Sequence, residues 1–542
     1  MKLTEQNGDH SSTGSELDGI DPHVYARRWK VLSVLCASLI IVIIGNTVLN
    51  VALPTLQAPK DVGGLGATNT QIQWLVDSYG LVFAGLLFTA AALGDRFGRK
   101  GALQGGLVVF AIGSVAGALS DTPSMLIASR ALMGVGAAFV MPSTLSILTN
   151  VFPARERAKA IAVWAGISGA GAAVGPVTSG LLLEHFWWGS VFLINVPIIA
   201  VTLLAGQRLL PKSRDAGRTP LDPIGALLSI VGLAALVYAI IEGPRHGWVS
   251  ATSLAWFGGA LVALVLFAMW ELRNRHPMLD LQLFRIRRFA VASGGITLIF
   301  FAMFGTFFML TQYLQGVLEY SPLEASIRLL PFSAMMMIVA PRTPKLVARF
   351  GAHRVASVGL ACVGLGLTGA AFFRTGTPYL QLLATVCFLS GGMALAMSPM
   401  TTQLMSSVPR DRAGMGSATN DTTRELGGAL GVAVLGSLVT SKYTSGVGDA
   451  LAGLPPEQRA IGEGSLGGMR GLIGRGFVTD SGLLDIAKRA FVDGLNLAAV
   501  VAATTAFLVA VAVYRLLPSD KNDATVTGQL EPEHETSFAA SD

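Results

Sequence analysis

The chain has 542 residues, 52% of them hydrophobic and 13% charged, with a mean hydropathy of +0.58. A water-soluble protein of this size could not hide so much apolar surface, so the sequence belongs in a bilayer. Lys and Arg outnumber Asp and Glu by 39 to 33, a net charge of +6 that the loops explain below and that calls for no nucleic-acid partner.

The first 30 residues are polar, with no apolar core followed by a cleavage site, and read as a tail. Apolar runs then recur near 31–56, 72–93, 101–119, 124–149, 159–183, 187–208, 221–241, 250–271, 289–314, 322–345, 353–373, 379–403, 414–440 and 489–516, about fourteen in all. They are long enough to cross a bilayer and show no alternation of apolar and polar residues, so they are helices, not strands. An even number of crossings places both termini on one side. With that side cytoplasmic, roughly 26 Lys and Arg lie inside and about 9 outside, the bias that fixes orientation. The three cysteines, Cys36, Cys362 and Cys387, sit inside apolar runs without metal-ligand spacing and read as packing residues.

Between the second and third runs lies "LGDRFGRK" (93–100), and between the tenth and eleventh a paler copy, "LVARFGAHR" (346–354). Equivalent positions imply a duplicated chain. The expected fold is an all-α membrane protein with an N-terminal six-helix bundle (31–210), two inserted helices (211–275) and a C-terminal six-helix bundle (276–516). A long outer loop (441–488) and a cytoplasmic tail (517–542) complete it, and a substrate site lies between the bundles near the midplane. Asp95, Arg96, Arg99 and Lys100 around Gly98 can pair with a partner helix when the inner side is shut, forming a gate; positive charge alone anchors topology, but an anchor needs no acid.

Other motifs follow in the first 200 residues. "RALMGVGAAFVMP" (130–142) places an Arg in the membrane before spaced glycines, and "GAAVGPVTSG" (171–180) gives helix 5 a small face through Gly171, Gly175 and Gly180, with Pro176 allowing it to bend. "NTVLNVALP" (46–54) closes helix 1. Together these resemble the signatures of the major facilitator superfamily, in its fourteen-helix drug:proton antiporter branch. The loop signature usually opens with a glycine where this chain has Ala91, and the helix-5 signature has Ser179 in place of a glycine. The resemblance implies a multidrug efflux permease driven by a proton gradient, with no cofactor. It also places an acid in helix 1 directly before the Asn-Thr pair. Here that position is Gly45.

Arg130 lies about 10 Å inside helix 4 and needs an acidic or carbonyl partner. Asp77 in helix 2 and the Gly45 position lie at a similar depth, so Asp77 is the expected counter-ion and proton carrier; a static buried pair and an interfacial carboxylate beside Trp74 are the alternatives. In helix 13, Asp421, Arg424 and Glu425 share one face at i, i+3 and i+4. Arg424 can pair with Asp421, and Glu425, near mid-membrane, suits a proton or a cationic substrate. Arg328 in helix 10 is a distant partner for it. Asn46, Asn50, Arg424, Phe304 and Phe308 are candidate substrate contacts, the phenylalanines from an aromatic stretch of helix 9 that also fits lipid-facing or core packing.

The reading is a monomeric, multi-pass transporter of the plasma membrane that exports lipophilic or amphiphilic compounds in exchange for protons. No G-x-x-x-x-G-K-[ST] loop is present, which disfavours ATP-driven pumping. An enzyme would need a nucleophile–base pair or a His/Asp metal cluster, and the seven histidines are scattered. Export of one endogenous metabolite or lipid, and a sensor without flux, are the alternatives.

Overall fold

A computed structural model of the chain describes residues 20–211, 222–274, 277, 279–408, 413–475, 477 and 481–518. Most of both polar tails and of the inner segment after helix 6 lie outside the described residues, as do the side chain of Asp95 and the surroundings of Gly171. Among the described residues every regular element is helical. The long helices are α1 (Pro22–Gln57), α2 (Asn69–Phe97), α3 (Arg99–Ala118), α4 (Pro123–Val151), α5 (Ala154–His185), α6 (Asn195–Leu209), α7 (Pro223–His246), α8 (Ala251–Arg273), α9 (Arg287–Gln312), α10 (Pro322–Val339), α11 (Ala352–Ala370), α12 (Tyr379–Ser406), α13 (Ala413–Val447) and α14 (Ser481–Leu516). Eleven stretches among the described residues are long and apolar enough to cross a membrane; α2, α5 and α11 cover the other three predicted runs.

Start signals are where the sequence places them. Thr68 and Gln71 form a reciprocal capping box at α2, and Thr122 caps α4 ahead of Pro123. The two copies of the loop motif share one backbone device. Gly98, with φ 119°, ends α2 and begins α3, while Gly351, with φ 85°, joins the short helix Thr343–Phe350 to α11. A side chain at either position would be strained, so glycine makes the abrupt helix-to-helix joint possible.

Packing runs α3 on α4, α11 on α12, α2 on α4 and α9 on α13. The main contacts between the first six helices and the last six are α2 on α13 and α5 on α10, with smaller ones of α1 on α9 and α10. The pair α7–α8 is attached at the first of these seams. Its helix α7 packs on both α2 and α13, where Leu81, Val237, Ile241, Ala429 and Ala433 form a separate apolar cluster. Ser437 also donates to the Ile240 carbonyl at 2.9 Å.

Three expectations shift. The sixth run is broken, with a short helix, Ser190–Leu193, preceding α6. The stretch 481–488, expected in the outer loop, is the opening of α14, because Ala487, Ala490 and Phe491 continue its buried face. The long segment after α13 folds into two short helices, Pro456–Gly464 and Leu466–Gly474. They lie over the α1–α2 connection, where Arg475 pairs with Asp61. Glu319, in the turn before α10, accepts from Arg470 at 2.6 Å and from Lys488 at 2.7 Å. Those two bonds hold Glu319 at an unusual φ of 62°, and the one from Lys488 keeps its carboxyl below the usual range.

Candidate functional site

The deepest charge is Arg130 on α4, fully buried. Its guanidinium donates to the Gly45 carbonyl on α1 at 2.7 Å and to the Leu75 carbonyl on α2 at 3.1 Å. It also stands 4.4 Å above the centre of the Tyr79 ring, a contact worth about 2 kcal/mol where water is excluded. The spaced glycines of the helix-4 motif make this approach possible: a Cβ on Gly134 would stand 2.6 Å from the Tyr79 carbonyl.

The expected ion pair with Asp77 is not formed. Neither carboxylate oxygen of Asp77 has a hydrogen-bond partner, although the residue is only 1% exposed. Arg130 does reach the Gly45 position, which was expected to share its layer with Asp77, but the Gly45 and Leu75 carbonyls and the Tyr79 ring take the place of the acid. The family's acid position is filled from elsewhere: a Cβ on Gly45 would meet Phe110 Cζ at 2.5 Å and Met133 Cε at 3.4 Å.

On α13, Arg424 and Asp421 form the expected i, i+3 pair at 3.7 Å, and Asn420 donates to Asp421 at 3.3 Å. Glu425 crosses the seam to α2. Its Oε2 lies 3.4 Å from where a Cβ of Gly80 would stand, close enough to Arg130 and Tyr79 to interact with both electrostatically. Arg328 is not its partner: it pairs with Glu324 at 2.7 Å and stacks over Tyr320 at 3.7 Å.

A cavity of about 90 Å³ opens between α1, α5, α9 and α10, lined by Thr47, Asn50, Val51, Pro176, Met303, Phe304, Phe307, Thr311, Ser326, Leu329, Leu330, Phe332 and Ser333. Its volume is below that of a drug-sized pocket, but its lining, mostly apolar and aromatic with a few polar anchors, has the chemistry of a lipophile site. Of the expected contacts, Asn50 and Phe304 are in the lining. Asn46 is half-buried outside it, and Phe308 is core, packed toward Gly436. Arg424 reaches the cavity only through rings: its guanidinium is 5.5 Å from Phe300, which stacks on Phe304 at 6.2 Å.

The helix-5 motif borders this cavity from both sides. Ser179 donates to the Val48 carbonyl at 2.8 Å, and Gly175 leaves room for Thr47. Across the seam, Ser326 of α10 donates to the Pro176 carbonyl at 2.9 Å, and Gly180 would place a Cβ 2.8 Å from the Leu323 Cα. Nearby, Gln57 donates to Asn69 at 2.8 Å and to Gln312 at 3.1 Å, and Gln315 donates to the Val51 carbonyl at 2.9 Å. These bonds tie α1 to α2, to α9 and to the turn after it, next to Val51 and Thr311 of the lining.

In the loop 93–100, Lys100 donates to the carbonyls of Gln207 and Leu210, at 2.8 and 2.9 Å, where α6 ends. A cation at a helix C-terminus is favourable in itself. Arg96 is exposed and stands 5.4 Å over the Phe97 ring, and Arg99 is half-buried at the start of α3.

Tyr79, Thr47, Met303, Thr311 and Phe332 escape the sequence reading. The α9 residues had a usable signal, since Met303, Phe304, Phe307 and Thr311 recur at the spacing of one helix face. Tyr79 had none.

The sequence profile of the Major Facilitator Superfamily matches residues 35–432. The multidrug efflux pump LfrA of Mycolicibacterium smegmatis is 37% identical over 479 residues, covering 88% of this chain and 94% of the relative. The methyl viologen resistance protein SmvA of Salmonella typhimurium is 34% identical over 496 residues, covering 90% and 98%. Among solved structures, the peptide transporter POT in complex with sulfate superposes with a TM-score of 0.60 at 15% identity, over 90% of this chain and 95% of that one. That likeness establishes the fold.

Proposed function

The chain belongs to the major facilitator superfamily, and on that premise we propose that it is a secondary transporter exporting lipophilic and amphiphilic compounds, cationic ones foremost, in exchange for protons. The observation that carries the reading is the aromatic cavity between α1, α5, α9 and α10, joined by the Phe304–Phe300 stack to Arg424 and so to the acids of α13. Rings and a soft Met303 bind flat apolar surface, and Asp421 and Glu425 offer the charge a cation or a proton needs. The relatives LfrA and SmvA, named for multidrug efflux and methyl viologen resistance, support this substrate class.

The reading has fourteen crossings: six-helix bundles α1–α6 and α9–α14, with α7–α8 inserted, and both termini in the cytoplasm of a plasma membrane. The end where Gln57 bonds Asn69 and Gln312 is then the outer one. The transporter works as a monomer in lipid, without cofactor or nucleic acid. Asp77 and Glu425 carry protons, Arg130 and Asp421 hold the field around them, and the loop 95–100 is the inner gate. Helix α5, through Gly171, Gly175, Pro176 and Gly180, is the close-packed element on which the bundles rock.

Everted vesicles carrying the protein test it. Addition of tetraphenylphosphonium should discharge a pre-formed pH gradient, and Asp77→Asn should slow that discharge at least tenfold. No discharge with any of a broad panel of lipophilic cations overturns antiport; an unchanged rate in the Asp77→Asn variant removes Asp77 from the coupling path.

A further inference from the structure

Along α2, Asn69, Gln73 and Asp77 follow one another at i, i+4 and i+8, a single face of the helix. Each is at least 96% buried, and all three keep polar atoms without a partner: Asn69 Nδ2, both amide atoms of Gln73 and both oxygens of Asp77. Next on the same face comes Gly80, against which the Glu425 carboxylate rests. Gly436 of α13 leaves room for the Gln73 amide, since a Cβ there would collide with Nε2. The stripe thus starts at the Gln57–Asn69–Gln312 bonds and ends about 16 Å further along the axis at Glu425.

Five unpartnered polar atoms in one buried row cost far more than a membrane protein ordinarily tolerates, unless water reaches them in part of the cycle. We infer that Asn69, Gln73 and Asp77 form a hydrated path that carries protons between the outer end and Glu425. A proton passes from water to an Asp77 oxygen and from there, through water, to the carboxylate of Glu425. Gln73 orients that water, donating through Nε2 and accepting through Oε1. The charged and titratable groups around the path are Arg130 of α4, Tyr79 on the opposite face of α2, Glu425 of α13 and Tyr238 of α7 beside Trp74. Arg130 bonds Gly45 and Leu75 through two of its nitrogens and covers the Tyr79 ring, its Nη2 has no partner, and no bond from it holds Asp77. This inference rests on the antiport reading and adds Gln73, a residue that reading does not use.

The test is in proteoliposomes holding the pH dye pyranine, with a tetraphenylphosphonium gradient as driving force. Proton flux is compared with tetraphenylphosphonium self-exchange at equal pH on both sides. Gln73→Leu, similar in size but unable to hold water, should cut proton flux at least tenfold and leave self-exchange within twofold; Gln73→Asn should restore part of the flux. Unchanged flux in Gln73→Leu overturns the path and leaves antiport standing. Parallel loss of flux and self-exchange assigns Gln73 a packing role and overturns it as well. Self-exchange without proton flux in the unaltered protein overturns antiport itself, and the path with it.

Discussion

The loop 93–100 and its copy at 346–354 have the same backbone and different chemistry. Phe97–Gly98 and Phe350–Gly351 make the same left-handed joint, and each places an arginine over the neighbouring ring, Arg96 at 5.4 Å and Arg349 at 5.2 Å. Even the outward contact is preserved in outline. Lys100 grips the end of α6, while the aligned His353 lies 6.0 Å from the Tyr514 ring near the end of α14. The acid is not preserved: Ala348 stands where Asp95 would be. The joint recurs on both sides and the acid occurs on one, so the glycine serves the turn of the chain and the acid is not needed to make it.

The comparison can be broken first at the glycines. Gly98→Val and Gly351→Val each force a branched residue to positive φ, at about 1–3 kcal/mol. Both should lower the amount of folded protein recovered in detergent; a harmless Gly351→Val would show that the copies do not share their backbone. Next comes the acid. Asp95→Ala should slow tetraphenylphosphonium export at least tenfold, whereas Ala348→Asp should leave it within twofold; equal effects would erase the functional asymmetry. Lys100→Met removes two charge-assisted bonds to α6 at a half-buried position, about 1 kcal/mol after allowance for solvent, visible as a fall in melting temperature that Lys100→Arg partly restores. Smallest are Phe97→Ala and Phe350→Ala. Each loses an exposed ring contact of about 0.5 kcal/mol, and matching shifts would sharpen the equivalence.

Much of this was legible because it depends on depth along a helix. Apolar runs, the Gly-Pro step of α5 and the i, i+3 pairing of Asp421 with Arg424 all follow from spacing. Depth also put Asp77 and Arg130 in one layer. What spacing did not reveal was direction around α2. Leu75 and Tyr79, one turn apart, face Arg130; Asp77, two residues on from Leu75, is turned about 200° away, on the side where Gln73 and Gly80 meet α13. The acceptors Arg130 does use are main-chain carbonyls, which every residue has and no sequence marks. The cavity was half legible for a similar reason: α9 showed its aromatic face, but which phenylalanines meet the cavity and which meet α13 depends on the neighbour each side faces.

The ring of Phe110, wedged against Gly45, has an evolutionary corollary. A carboxylate placed at position 45 by one substitution would be driven into that ring, so a lineage could acquire one there only with Phe110 trimmed to something smaller. Either change alone is a loss, one through crowding and the other through a void beside Met133, and each relieves the other. Such sign epistasis makes the present state hard to leave by single steps.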